Sequence, residues 1–151
     1  MTDTTPWFET FKIGDVFESG PVTFTEEGII DYAREWDPQP FHIDRAAAAA
    51  SQFGGLIASG MHVMGALFRA LIDAGFLDGS GMGSPGLDEV RWLAPVRPGD
   101  TLIMRTTVTE SRPSATRNDR GYVRLRFEGI NQNGAVVSSY LCTEIVKRRP
   151  G

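Results

Sequence analysis

From Gly60 to Ala74 the sequence reads as a helix that is apolar around its whole circumference. It carries Met61, Val63, Met64, Ala66, Leu67, Phe68, Ala70, Leu71, Ile72 and Ala74, with His62, Arg69 and Asp73 as the polar interruptions. An ordinary surface helix shows one apolar stripe, and a membrane span needs about 20 apolar residues. This stretch fits neither description, so protein must enclose it. Ser59 stands where an N-cap belongs, and Gly75 stands where a left-handed residue commonly ends a helix.

The enclosing material follows it. Leu87–Leu93, Thr101–Glu110, Tyr122–Asn131 and Ala135–Lys147 read as strands, punctuated by Pro95 and Pro98-Gly99-Asp100. Asn133-Gly134 joins the last two as a tight hairpin. Val123, Leu125 and Phe127 alternate with Arg124, Arg126 and Glu128, the two-residue period of a sheet with one wet face. Helices segregated from a long antiparallel run predict an α+β fold whose sheet wraps the apolar helix. No linker, repeat or low-complexity stretch divides the chain, so residues 1–151 are read as a single domain.

Upstream, Ile13 to Thr25 is extended chain around Gly20-Pro21, entering a helix capped by Thr25. In Glu26 to Trp36 the apolar residues Ile29, Tyr32, Ala33 and Trp36 fall at helical spacing, predicting an amphipathic surface helix. The segment Asp37-Pro38-Gln39-Pro40-Phe41-His42-Ile43-Asp44 comes next. Each proline disfavours the helical region for the residue before it, so Asp37 and Gln39 are expected to be extended, in a stiff loop. Asp44 is placed to cap a short helix through Ala46–Ala50, which Gly54-Gly55 would end.

Composition removes several functions. Lys and Arg number 15 against 19 Asp and Glu, for a net charge of -4, which supplies no field for gripping nucleic acid. One Cys excludes an intramolecular disulfide, and two His with one Cys cannot furnish a four-ligand structural zinc site, so no metal is expected. Cys142 reads as an ordinary buried thiol of a reducing compartment. Met1 to Pro6 lacks the cationic start and apolar run of a signal peptide, and the expectation is a cytoplasmic protein without membrane partners. There is no nucleophile elbow, phosphate-binding glycine loop or dinucleotide fingerprint.

Proton transfer remains. His42 and His62 are the two histidines, the side chains that titrate near neutrality when unperturbed. Asp37 and His42 bracket the proline-stiffened segment, which would hold a carboxylate and an imidazole in fixed relation as a minimal acid–base site. The alternative is that the prolines only stop a helix and His42 is a hydrogen-bonded loop residue. Ser59-Gly60-Met61 opens the apolar helix, where unpaired amides and the helix dipole favour an anionic oxygen and glycine permits close approach. Alternatively, Ser59 is a simple cap and Gly60 a packing contact. His62 reads as a satisfied, semi-buried residue. The polar segment Ser111–Arg120, including Arg117, can meet phosphates through guanidinium contacts or remain a solvated hairpin tip.

Asp37-Pro38-Gln39-Pro40-Phe41-His42 resembles the signature of the MaoC-like dehydratases, which include the (R)-specific enoyl-CoA hydratases. That signature runs Gly-Asp-x-Asn-Pro-x-His, with Ala or Ser six residues after the His. Asp37, Pro40, His42 and Ala48 match it, whereas Trp36 replaces the glycine and Gln39 the asparagine. Ile57-Ala58-Ser59-Gly60-Met61 and Arg91-Trp92-Leu93-Ala94-Pro95-Val96-Arg97-Pro98-Gly99-Asp100 are similar to the family's entry to its central helix and to its following strand and turn. The resemblance spans Phe11 to about Val146.

It implies a hot-dog fold, an antiparallel sheet curled around a long helix, assembled as a homodimer or higher homo-oligomer. It also implies reversible syn hydration of a trans-2-enoyl thioester to the R-configured 3-hydroxyacyl thioester. Asp37 would be the base, His42 would orient water and assist proton delivery, and the Gly60 amide would receive the thioester oxygen. Ser59, Met61, Arg97 and Arg117 are the expected substrate contacts, the arginines for the nucleotide end of coenzyme A. Coenzyme A enters as part of the substrate and no separate cofactor is expected. A hot-dog thioesterase using Asp37 alone, or a non-catalytic acyl-CoA-binding protein, are the alternatives.

Overall fold

The computed structural model describes residues 2–151. Strands β1 (Val16–Glu18) and β2 (Val22–Thr23) lead into helix α1 (Glu26–Trp36). Short helices α2 (Pro40–Ile43) and α3 (Arg45–Ala50) precede the central helix α4 (Gly60–Asp73). Strands β3 (Leu87–Trp92), β4 (Thr101–Pro113), β5 (Arg120–Asn131) and β6 (Val136–Lys147) complete the chain. All pair antiparallel in the order β1-β4-β5-β6-β3, with β2 also on β4. A sheet curved over one long helix is the hot-dog arrangement that the resemblance implied, and α+β is the fold class. Among the described residues no helix is long and apolar enough to cross a membrane.

Local chemistry explains most element ends. The Thr25 hydroxyl accepts from the Gly28 amide at 3.0 Å and starts α1. Asp44 accepts from the Ala47 amide at 2.9 Å and starts α3. Gly75, at φ +93°, follows α4, and Gly134, at φ +78°, makes the turn between β5 and β6.

The segment after α1 differs from the expected loop. Gln39 is extended, but Pro40 to Ile43 closes a helical turn with proline at its first position. Proline fits there because its fixed φ suits a helix start and its missing N–H would have had no acceptor. The alanine helix ends at Ser51, three residues before Gly54, with the Ser51 hydroxyl turned back onto the Ala48 carbonyl at 2.6 Å. The β4–β5 hairpin extends further than expected, pairing Ser111 with Val123 and Pro113 with Gly121. Only residues 114–119 of the arginine-bearing segment therefore form the connecting tip.

The core lies between α4 and the concave face of the sheet. Leu102, Met104 and Val108 of β4, Val123, Leu125 and Phe127 of β5, and Val137 and Cys142 of β6 pack with Val63, Leu67 and Leu71. Burying each such large side chain stabilises the fold by about 1.5–3 kcal/mol. The expectation that α4 is covered on every side is corrected here. Val63, Leu67 and Leu71, spaced four apart, are buried, while Met61 is 60% and Ile72 39% exposed. The sheet covers one stripe most completely, and α1 adds Ile29 to the same core and stacks Tyr32 on His62. Trp36, part of the predicted α1 stripe, is exposed.

Candidate active site

Three backbone junctions set the site. Asp37 is the C-cap of α1, its amide donating to the Ala33 carbonyl at 2.8 Å. His42 lies in the single turn of α2, and its amide donates to the Gln39 carbonyl at 3.0 Å. Beyond α3 the chain returns beside α2, where the Ala58 amide donates to the Val96 carbonyl at 2.8 Å. This return brings the Ile57 carbonyl to the buried face of His42.

Asp37 Oδ2 lies 3.2 Å from His42 Nε2, with the imidazole almost wholly buried and the carboxylate one-quarter exposed. His42 Nδ1 is 2.7 Å from the Ile57 carbonyl oxygen. A carbonyl only accepts, so Nδ1 must carry a proton and donate it. A neutral His42 then presents a lone pair from Nε2 towards a carboxylate oxygen, and two acceptors at that distance repel. The contact becomes attractive when one further proton sits between Nε2 and Oδ2. The geometry therefore suits the two side chains to sharing a proton.

The second carboxylate oxygen is held separately, with Gln39 Nε2 donating to Asp37 Oδ1 at 2.7 Å. Burial pushes the Asp37 carboxyl up, but the nearby Ser59 hydroxyl, the Gln39 amide and His42 together outweigh it and hold it below its ordinary 3.8. The Ser59 hydroxyl influences Asp37 by proximity, since among the described residues it makes no hydrogen bond of ordinary geometry. It is buried and does not cap α4 through its side chain, contrary to the capping expectation.

Asp37, His42, Ser59 and Gly60 share one cavity of about 530 Å³. Its deep wall is apolar, with Val63, Val96 and Val137, and its rim carries Met61, Trp92 and Leu93. Gly60 is the first residue of α4, where an amide has no acceptor within the helix. The indole of Trp92 lies against it, and a Cβ added at Gly60 would run into Trp92 Nε1 and Cε2. Glycine at this position thus has a packing reason as well as the proposed access to the backbone. The cavity joins the Asp37–His42 pair to the positively polarised start of α4 within apolar walls. That set of groups can move protons to and from a substrate while receiving charge on an oxygen.

A sequence comparison matches residues 9–126 to the family model described as the MaoC-like domain. The chain belongs to the MaoC-like domain family. This MaoC-like domain is 39% identical to the MaoC-like dehydratase from Rhodospirillum rubrum, whose crystal structure superposes with a TM-score of 0.90 over 96% of this chain and 99% of that one. It is 26% identical to the (R)-hydratase PhaJ1 from Pseudomonas aeruginosa, with a TM-score of 0.72 over 97% of this chain and 88% of that one. The uncharacterized protein YdeM of Bacillus subtilis is 28% identical over 140 residues, covering 93% of this chain and 98% of YdeM.

The MaoC-like domain does not gather all the residues singled out from sequence. Met61 lines the cavity beside Gly60. Arg97 instead donates from its guanidinium to the Phe53 carbonyl at 2.5 Å, holding a cavity-wall segment rather than facing the cavity. Arg117 sits at the β4–β5 tip in a separate polar hollow with Ser114, Asn118 and Arg148. The hairpin carries it away from Asp37 because β4 and β5 stay paired as far as Pro113 and Gly121. His62 packs against Tyr32 and Phe24, and among the described residues its Nδ1 has no hydrogen-bond partner, so it is semi-buried but not satisfied.

Three contributors escaped the sequence reading of the MaoC-like domain: the Gln39 amide, the Ile57 carbonyl and the Trp92 indole. Gln39 had a signal, since a side-chain donor two residues from a carboxylate can fold back upon it. Ile57 acts through its main chain and Trp92 through a contact 32 positions from Gly60, and neither leaves a local trace.

Proposed function

We propose that this MaoC-like domain is an (R)-specific enoyl-CoA hydratase, acting reversibly as a 3-hydroxyacyl-CoA dehydratase. The observation that carries the reading is the 3.2 Å contact between Asp37 and His42 in a cavity that also contains the start of α4. Support for the reaction class comes from the likeness to an (R)-hydratase.

In the hydration direction, the enoyl thioester enters with its carbonyl oxygen towards the Gly60 amide. Water, held by Asp37 and His42, attacks Cβ as Asp37 accepts one of its protons. The π electrons shift to the thioester, and the resulting enolate oxygen is met by the Gly60 N–H. An amide so placed contributes roughly 3–4 kcal/mol to transition-state stabilisation. The proton stored on His42 Nε2 is then delivered to Cα, giving the 3-hydroxyacyl thioester. Asp37 ends protonated and His42 neutral, and transfer across their contact restores the pair. Both new bonds form on the face that the pair occupies, so addition is syn.

Coenzyme A is carried by the substrate, and no separate cofactor takes part. The exposed Met61 and Ile72 on α4 and the unpaired outer edge of β3 support a homodimer in which a second copy covers apolar surface.

The test is a single incubation with a short trans-2-enoyl-CoA. Hydration removes the enoyl absorbance, leaves the thioester intact and yields the R product by chiral analysis. Release of free thiol instead would identify a thioesterase. Saturable binding without either change would identify an acyl-CoA-binding protein.

A further inference from the structure

The rim of the cavity contains a large ring with no core to fill. Trp92 ends the edge strand β3 and is 53% exposed, and the next residue, Leu93, is 58% exposed. Yet the indole is not idle on the surface, because the edge bearing Nε1 and Cε2 lies directly against the Gly60 backbone. Glycine is a poor helix former, but any side chain at this first position of α4 would displace the ring. The sequence therefore keeps a bulky aromatic wall beside one particular backbone amide.

We infer that Trp92 is a specificity-determining residue that excludes substituents on the α-carbon of the acyl group. This rests on the hydratase reading, in which the thioester oxygen is received at Gly60. Cα is two bonds from that oxygen, so a group branching from Cα falls next to the wall that flanks the amide. Carbons beyond Cβ are further from that wall and have the valine-lined depth of the cavity available to them. Trp92 thus discriminates on branching next to the thioester, while the deep wall acts on the tail. One methyl group that does not fit an apolar pocket changes kcat/KM by roughly 10–200-fold.

The test compares crotonyl-CoA with its 2-methyl analogue, tiglyl-CoA, in the wild-type protein and in Trp92→Ala and Trp92→Phe. The wild type is expected to favour the unbranched substrate, and Trp92→Ala to reduce that preference by about tenfold or more. Trp92→Phe, which keeps an aromatic wall and guards against loss of folding in the alanine variant, is expected to retain most of the preference. An unchanged ratio in Trp92→Ala, a proportional slowing of both substrates, or no preference in the wild type would overturn the inference. Calorimetric dissociation constants for the saturated pair, butyryl-CoA and 2-methylbutyryl-CoA, supply an independent reading. If the wild type hydrates neither enoyl thioester, the hydratase reading fails, whereas the ratio of these constants across the variants still decides the role of Trp92.

Discussion

Asp37 Oδ2 and His42 Nε2 lie 3.2 Å apart, while the far nitrogen of the same imidazole is committed to the Ile57 carbonyl at 2.7 Å. In the proposed hydration the two act together: loss of Asp37 removes the acceptor for the water proton, and loss of His42 removes the donor to Cα. Asp37→Asn and His42→Ala are each expected to reduce kcat/KM for a short trans-2-enoyl-CoA by at least about a hundredfold. Circular dichroism should remain native, and near-wild-type turnover in either folded variant would eliminate the dyad.

Gln39 supplies a separate prediction, because its amide bonds the carboxylate oxygen that His42 does not touch. That bond favours the charged form and helps hold Asp37 below its ordinary 3.8. In the proposed hydration the base functions only when ionised, so activity is expected above the Asp37 pKa and is expected to be lost as pH falls through it. Removing the donor in Gln39→Ala raises that pKa and shifts the acid limb of the kcat/KM profile to higher pH. A superimposable acid limb would show that the amide does not tune the carboxylate.

His62 predicts how stability, rather than activity, follows pH. Its ring stacks on Tyr32 with centroids 4.5 Å apart and meets the edge of Phe24 at 5.2 Å. Burial pushes it below its ordinary 6.5. The unfolded chain therefore takes up a proton at a pH where the native chain does not. The His62 contribution is complete above about 6.5 and declines as pH falls from there towards the lowered native value. His62→Phe should flatten this part of the dependence, so that its Tm falls less than the wild-type Tm between neutral and mildly acidic buffer. Parallel curves for the two proteins would contradict the assignment.

Leu67 tests the most completely covered stripe of α4. It is fully buried at the centre of Val63, Leu67 and Leu71 and faces the sheet. Leu67→Ala is expected to lower unfolding free energy by about 2–5 kcal/mol in denaturant titrations. Ile72→Ala, on the partly exposed face, should cost clearly less in the monomer. Equal losses that depend on protein concentration would instead place Ile72 in an interface between copies.

The sequence was most legible where structure is local. Thr25 and Asp44 cap their helices through bonds to residues three positions on, and Asn133-Gly134 turns a hairpin by its own backbone preferences. Four strands could be read from apolar alternation and flanking turns. The covering of α4 was overread because residue type reports what a side chain prefers, not how much protein lies opposite it. At the site, the family signature pointed to Asp37 and His42, but their angular relation depends on Ile57, 15 residues from His42. The helical turn of Pro40–Ile43 was hidden because proline discourages helix in the residue before it while favouring a helix that starts with it. Arg97 and Arg117 share one expectation from the sequence, contact with the nucleotide end of coenzyme A. Pairing of β4 with β5 and the Phe53 carbonyl separated their fates.

The tether of His42 to the Ile57 carbonyl has an evolutionary corollary. Every amino acid supplies that oxygen, so drift of the side chain at position 57 leaves the ring's protonated nitrogen specified as long as the chain keeps its path. Insertions or deletions between α3 and α4 reach what point substitutions there do not: they relocate the carbonyl and release the imidazole to rotate. The length of this connection thus constrains the orientation of the imidazole more directly than the side chain at position 57 does.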